Sequence, residues 1–147
     1  MQAATDFDLK IHLHRLLQDE PFFSAISRRV NKTASRALPT AGVTVDKETL
    51  QFKMLYNPDF FQDMPERHVK GVLIHEFYHL IFKHVTSRKP EGIPMIVWNI
   101  ACDLAINCMI GQDNLPENCC YPGVAQFEDY PEGKTAEFYL EMMKDDE

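Results

Sequence analysis

No C-x-x-C pair occurs anywhere in the 147 residues, which removes the usual thiolate zinc knuckle. The four cysteines are Cys102, Cys108, Cys119 and Cys120. The adjacent Cys119 and Cys120 do not make a disulfide framework, and so low a cysteine density suits a reducing compartment. Met1 to Lys10 lacks the basic and apolar regions of a secretory leader. The most apolar stretch, Ile93 to Ile110, runs 18 residues but carries Asp103 near its middle plus Asn99 and Asn107. A charged carboxylate at that depth argues against a membrane span. Clustered basic residues are missing as well. The net charge is −7, and residues 91–147 hold 2 Lys+Arg against 12 Asp+Glu, which argues against binding a phosphate backbone. The last three residues, Asp145-Asp146-Glu147, are expected to be a solvated end. The expectation is a cytoplasmic protein with no nucleic-acid or membrane partner. It should fold as one domain over 1–147, long enough to bury a core without staples.

What is present centres on one helix, expected from Pro65 to about Thr86, and on the pentad His75-Glu76-Phe77-Tyr78-His79 within it. Residues four apart on an α-helix lie about 40° from each other and about one turn apart, so His75 and His79 can aim at one point. That supplies two of the three protein ligands of a catalytic zinc. Glu76 projects about 100° round the axis, beside such a metal, where a carboxylate can act as the general base of H-E-x-x-H peptidases. A shuffled chain of this composition would contain the pentad about twice in a hundred trials, so context has to decide. The context is an uninterrupted helical pattern with Val69, Leu73, Phe77 and Leu80 as the apolar stripe on the opposite side. Gly71, one turn before His75, calls for a packing reason, because a helix-interior glycine costs about 1 kcal/mol against alanine. His68 is about 10 Å along the axis from His75, too far to share a metal with both histidines, though it could line a cleft. A third histidine at metzincin spacing is absent, since Phe82 and Val85 occupy the diagnostic positions. His84 faces away from His75 and reads as a structural histidine near the helix end.

Elsewhere, Asp6 can cap a helix over Phe7–Leu17, and Pro21 can open a second helix to about Val30. His12 and His14 read as surface residues of the first helix, and Asn31 to Thr40 as a connecting loop. The period then changes. Val43–Val45 and Leu50–Tyr56, joined by the turn-like Asp46–Thr49, predict a β-hairpin with Leu50, Phe52, Met54 and Tyr56 facing a core. Its Leu50–Tyr56 strand is the expected edge for pairing with a peptide. Pro58–Asp63 predicts a helical turn. Residues 113–133, rich in Pro, Asn, Gly and Cys, predict a long loop that could wall a cleft. Thr135 can cap a last helix to about Lys144, with Phe138 and Met142 packed inward.

The third donor is sought in Pro94 to Ile110. There Asn99, Asp103 and Asn107 make a narrow polar stripe flanked by Ile96, Ile100, Ile106 and Ile110. A carboxylate in such surroundings is costly unless it is paired or holds a metal. A zinc on His75 and His79 offers that partner, and Asn99 and Asn107, one turn either side, are placed to orient the carboxylate through hydrogen bonds. A lysine or arginine from another helix is the competing partner for Asp103. Cys102 and Cys108 point elsewhere and read as small core residues.

His75-Glu76-Phe77-Tyr78-His79 followed by Trp98-Asn99-Ile100-Ala101-Cys102-Asp103 carries a resemblance. With Tyr56-Asn57-Pro58-Asp59-Phe60-Phe61 before and Thr135-Ala136-Glu137-Phe138-Tyr139 after, the chain resembles the metallopeptidase-domain family usually found before a VWA-like domain. The likeness covers roughly residues 5 to 144. It implies a zincin-like α+β fold, mostly helical, with a small antiparallel hairpin over about 43–56 packed on the active-site helix. It further implies one zinc ion held by His75, His79 and Asp103, with Glu76 as the base. The companion VWA-like domain is not among these residues, so a VWA-like or ATPase partner is not readable here. The expected function is a zinc-dependent endopeptidase that cuts a peptide or protein substrate with a zinc-activated water. The alternative is a non-catalytic, zinc-stabilised interaction module. Tyr78, Tyr130, Tyr139 and His68 are candidates for stabilising the transition state, and the sequence does not choose among them.

Overall fold

The computed structural model describes residues 8–46, 48–49, 51–82, 89–116 and 119–145. Helix α1 (Leu9–Asp19) is capped by Asp8, whose carboxylate accepts the Lys10 N–H at 3.0 Å. It therefore starts two residues later than the sequence suggests, and the expected cap Asp6 lies outside the described residues, as do His84 and the 146–147 tail. Helix α2 (Phe22–Arg28) is shorter than expected, because Val30 already belongs to strand β1 (Val30–Ala34). Strand β2 (Ala41–Val45) and strand β3 (Phe52–Tyr56) form the expected antiparallel pair, with Met54 fully buried and Phe52 and Tyr56 partly so; Leu50 lies outside the described residues.

The stretch expected to be a loop is thus in part a strand. β1 pairs parallel with β3, Val30 opposite Phe52 and Ala34 opposite Tyr56, giving a mixed sheet in the order β1-β3-β2. Only Val30 of β1 is buried, and its other side chains are polar or small. No period-2 alternation marks such an edge strand, and its pairing with β3 is what defines it. The sheet's position for an incoming strand changes accordingly. β3 (Phe52–Tyr56) is central and offers no free edge, whereas the outer strand β2 does. The Asn57 N–H donates to the Thr40 carbonyl, and the Asp46 N–H to the Gln51 carbonyl. Because antiparallel pairs alternate, Gly42 and Thr44 also bond toward β3, while Val43 turns its N–H and C=O outward.

Helix α3 (Pro58–Phe61) is one turn, capped by Asn57. Helix α4 (Glu66–Ile81) follows Pro65, whose carbonyl accepts the His68 and Val69 N–H groups, and its last turn closes at Phe82. Helix α5 (Met95–Ile110) ends at Gly111, and helix α6 (Ala136–Asp145) packs along α5. Two apolar clusters result among the described residues. The first gathers α1, α2, the sheet and the α4 stripe Val69, Leu73, Phe77 and Leu80. The second gathers Trp98, Ala101, Cys102 and Leu104 of α5 against Phe127, Tyr130, Tyr139 and Leu140. Met142 packs on this second cluster as expected, but Phe138 is 38% exposed, since Ala136, Tyr139 and Leu140 are the α6 residues turned inward. The architecture is α+β, mainly helical, with a small mixed sheet in place of a purely antiparallel one.

Candidate metal centre

Helices α4 and α5 meet along the boundary between the two clusters, and there their polar stripes face each other. From α4 come His75 and His79, with rings 4.7 Å apart at 78°. Asp103 comes from α5. His75 Nε2, His79 Nε2 and Asp103 Oδ1 form a near-equilateral triangle with sides of 3.0, 3.0 and 3.1 Å. A proton can serve one side of such a triangle, and a central cation serves all three. Donors sharing a tetrahedral zinc at 2.0–2.1 Å stand about 3.3 Å apart, so this set fits a divalent ion with little adjustment. Gly71 permits the local packing that brings the helices together. A Cβ there would lie 1.9 Å from the Asn114 carbonyl oxygen, in the turn just after α5, so the close approach is made by backbone.

The triangle lies on a cavity of about 520 Å³. One wall is the β2 edge, Thr40 to Val43, with Phe60 and Val72; the other is α5 with Leu115, Pro116, Cys119 and Cys120. Glu76 also lines it while only 7% exposed. Burial pushes the Glu76 carboxyl above its ordinary range; the His75 and His79 imidazoles oppose the rise, and Asp103 adds to it. At His75, burial pulls downward but is outweighed by the Asp103 hydrogen bond and by Glu76, which together lift the imidazole to about 9. Asp103 feels burial upward, yet its bonds to both histidines hold it well below the usual carboxylate range. In the metal-free protein the triangle therefore retains a proton. The Cys119 thiol is pushed up to about 11, chiefly by burial and then by Asp103, so it is a protonated wall residue at neutral pH.

Asn107 is nearby, but it bonds His75 rather than the carboxylate it was expected to orient. Asn99 is exposed on the cavity wall. The four candidates for transition-state stabilisation all lie elsewhere. His68 Nε2 stands 3.1 Å from the Asp113 carbonyl, beside a second cavity. Tyr78 packs edge-on against Phe23 and stacks on Phe82. Tyr130 and Tyr139 stack on each other within the second cluster, and the Tyr139 hydroxyl donates to the Pro131 carbonyl at 2.6 Å. The sequence marked the tyrosines only as aromatic; which wall they join depends on packing. The 113–133 loop walls the cavity through Leu115, Pro116, Cys119 and Cys120, as expected, whereas no spacing rule flags Thr40 to Val43, which arrive at a strand edge.

Two imidazoles one turn apart on one helix, a carboxylate from a second helix and a buried glutamate beside them define a candidate centre for a divalent metal. The chain belongs to the family described as "Putative metallopeptidase domain", which matches residues 6–146. It is also similar to an uncharacterised protein of Thermotoga maritima, 27% identical over 99 residues. That match covers 67% of this chain and 25% of the relative, so the chain spans about a quarter of the relative's length. No solved structure matches the chain.

Proposed function

We propose that the protein is a zinc-dependent endopeptidase in which His75, His79 and Asp103 hold one ion and Glu76 is the general base. The observation that carries this is the donor triangle with Glu76 on the wall of the same cavity. A zinc ion at the triangle supplies Lewis acidity toward the scissile carbonyl and toward water. Glu76 takes the proton from the attacking water and passes it to the leaving amine. Its raised affinity for protons suits that exchange, since an acid–base group works best near the operating pH. The outward N–H and C=O of Val43 offer an extended peptide a strand to pair with. Phe60 and Val72 on one wall and Leu115 on the other give one of its side chains apolar surface.

The test compares wild type with Glu76→Gln. Zinc content of one ion per chain is expected in both, with peptide hydrolysis in the variant reduced by about 10²–10⁴-fold. Zinc in both with no cleavage of a diverse peptide library by wild type supports the non-catalytic module instead. A wild-type chain free of zinc after loading and desalting defeats both.

A further inference from the structure

Asn107 is 2% exposed and reaches in two directions from α5. Its Nδ2 donates to the Cys120 carbonyl at 2.7 Å, and its Oδ1 stands 2.7 Å from His75 Nδ1. A carbonyl oxygen only accepts, so Cys120 dictates which end of the amide is nitrogen. The flipped amide would set oxygen against oxygen at that distance. With Oδ1 facing His75, and able only to accept, Nδ1 of the imidazole must be the protonated nitrogen. In the neutral imidazole, the form that can bind a metal, this N–H is the single one, so Nε2 then presents its lone pair to the point it shares with His79 and Asp103.

We propose that Asn107 is a positioning residue for the metal centre, a relay whose Oδ1, turned to His75 because Nδ2 is taken by the Cys120 carbonyl, accepts the Nδ1 proton and so sets the tautomer and ring plane of His75. The inference rests on the metal-centre reading above and adds a residue that never touches the ion. The same amide also holds the Cys120 carbonyl of a segment whose cysteines wall the cavity, so a ligand and a substrate wall share one support.

Two substitutions in the full chain separate the parts of this relay. Asn107→Leu removes both bonds. Asn107→Asp keeps an acceptor for the His75 Nδ1 proton, loses the donor to Cys120 and adds a carboxylate charge beside the ring. Zinc dissociation constants are read by chelator competition, and the His75 ring nitrogens by long-range ¹H–¹⁵N correlation of the zinc-loaded protein. For Asn107→Leu, binding weakened about 10–100-fold and a rapidly exchanging Nδ1 proton are expected, the usual cost of losing such a support. Asn107→Asp should stay within about threefold of wild type, with the Nδ1 proton retained, because a carboxylate serves the same acceptor role. Unchanged zinc binding in Asn107→Leu overturns the relay. So does Asn107→Asp binding as weakly as Asn107→Leu, which would leave Asn107 only the task of holding the 119–121 segment. If Asn107→Leu does not fold, Asn107→Asp decides on its own: near-wild-type affinity with the Nδ1 proton kept supports the relay, and loss of either overturns it. Wild-type protein that takes up no zinc defeats the metal-centre reading itself, a separate result.

Discussion

Three polar atoms about 3 Å apart, two of them nitrogens on neutral bases and one an anionic oxygen, need something positive between them. In the metal-free protein that is a proton, and its linkage to stability has a definite sign. His75 rises from 6.5 to about 9 on folding, so its contribution is complete below about 6.5 and is lost as pH climbs through about 9. Glu76, raised by burial, acts in the same direction, because the folded state resists its ionisation. Asp103, depressed from 3.8, contributes above that value and loses its share only as pH falls through its lowered folded value. Chelator-treated protein should therefore show a Tm that declines between about pH 6.5 and 9. A flat Tm across that window would mean the triangle does not hold a proton. His75, His79 and Glu76 were readable from one pentad, because helix geometry is local. Asp103 was readable as an unpaired carboxylate on an apolar helix, but its distance from the histidines was not.

Among the elements, α4 was the most legible. Its stripe of Val69, Leu73, Phe77 and Leu80 is buried as the helical period requires. Gly71 was recognisable as an anomaly, yet the partner that explains it, the Asn114 carbonyl, is 43 residues away along the chain. Gly71→Ala gains about 1 kcal/mol of helix propensity but drives a methyl group into backbone, and overpacking of this kind costs about 1–3 kcal/mol or more. The Asn114 turn cannot yield freely, since its side chain donates to the Ile110 carbonyl at 3.2 Å. Denaturant unfolding of Gly71→Ala should show a net loss of stability; a gain would show that the turn moves aside without cost. β1 was missed for the opposite reason. Its polar side chains carry no core signal, and Lys32 spends its ammonium on the Ser27 and Val30 carbonyls instead of advertising a strand.

For the whole molecule, the candidate centre joins two apolar clusters, the α4 side through His75 and His79 and the α5 side through Asp103. An ion bound there holds the two together, and a ligand at about a thousand times its Kd stabilises the folded state by about 4 kcal/mol. For a chain of this size that is a Tm rise of roughly 10 °C. Calorimetry should show such a rise on adding zinc to metal-free wild type and almost none for Asp103→Ala. An equal rise in the variant would place the ion elsewhere. In the relative from Thermotoga maritima the matched region is one quarter of a longer chain.

The sequence by itself determined what depends on neighbours within a turn or two: the α4 pentad, the apolar stripes, the β2–β3 pair and the α+β class. Only the tertiary structure decided what depends on residues far apart in the chain. It brought the Asp103 oxygen to 3.0 Å from His75, set Asn107 between His75 and Cys120, put the outer strand β2 on the cavity and drew the tyrosines away from it. Local periodicity fixes the face on which a side chain lies, whereas the packing of distant segments fixes what that face meets.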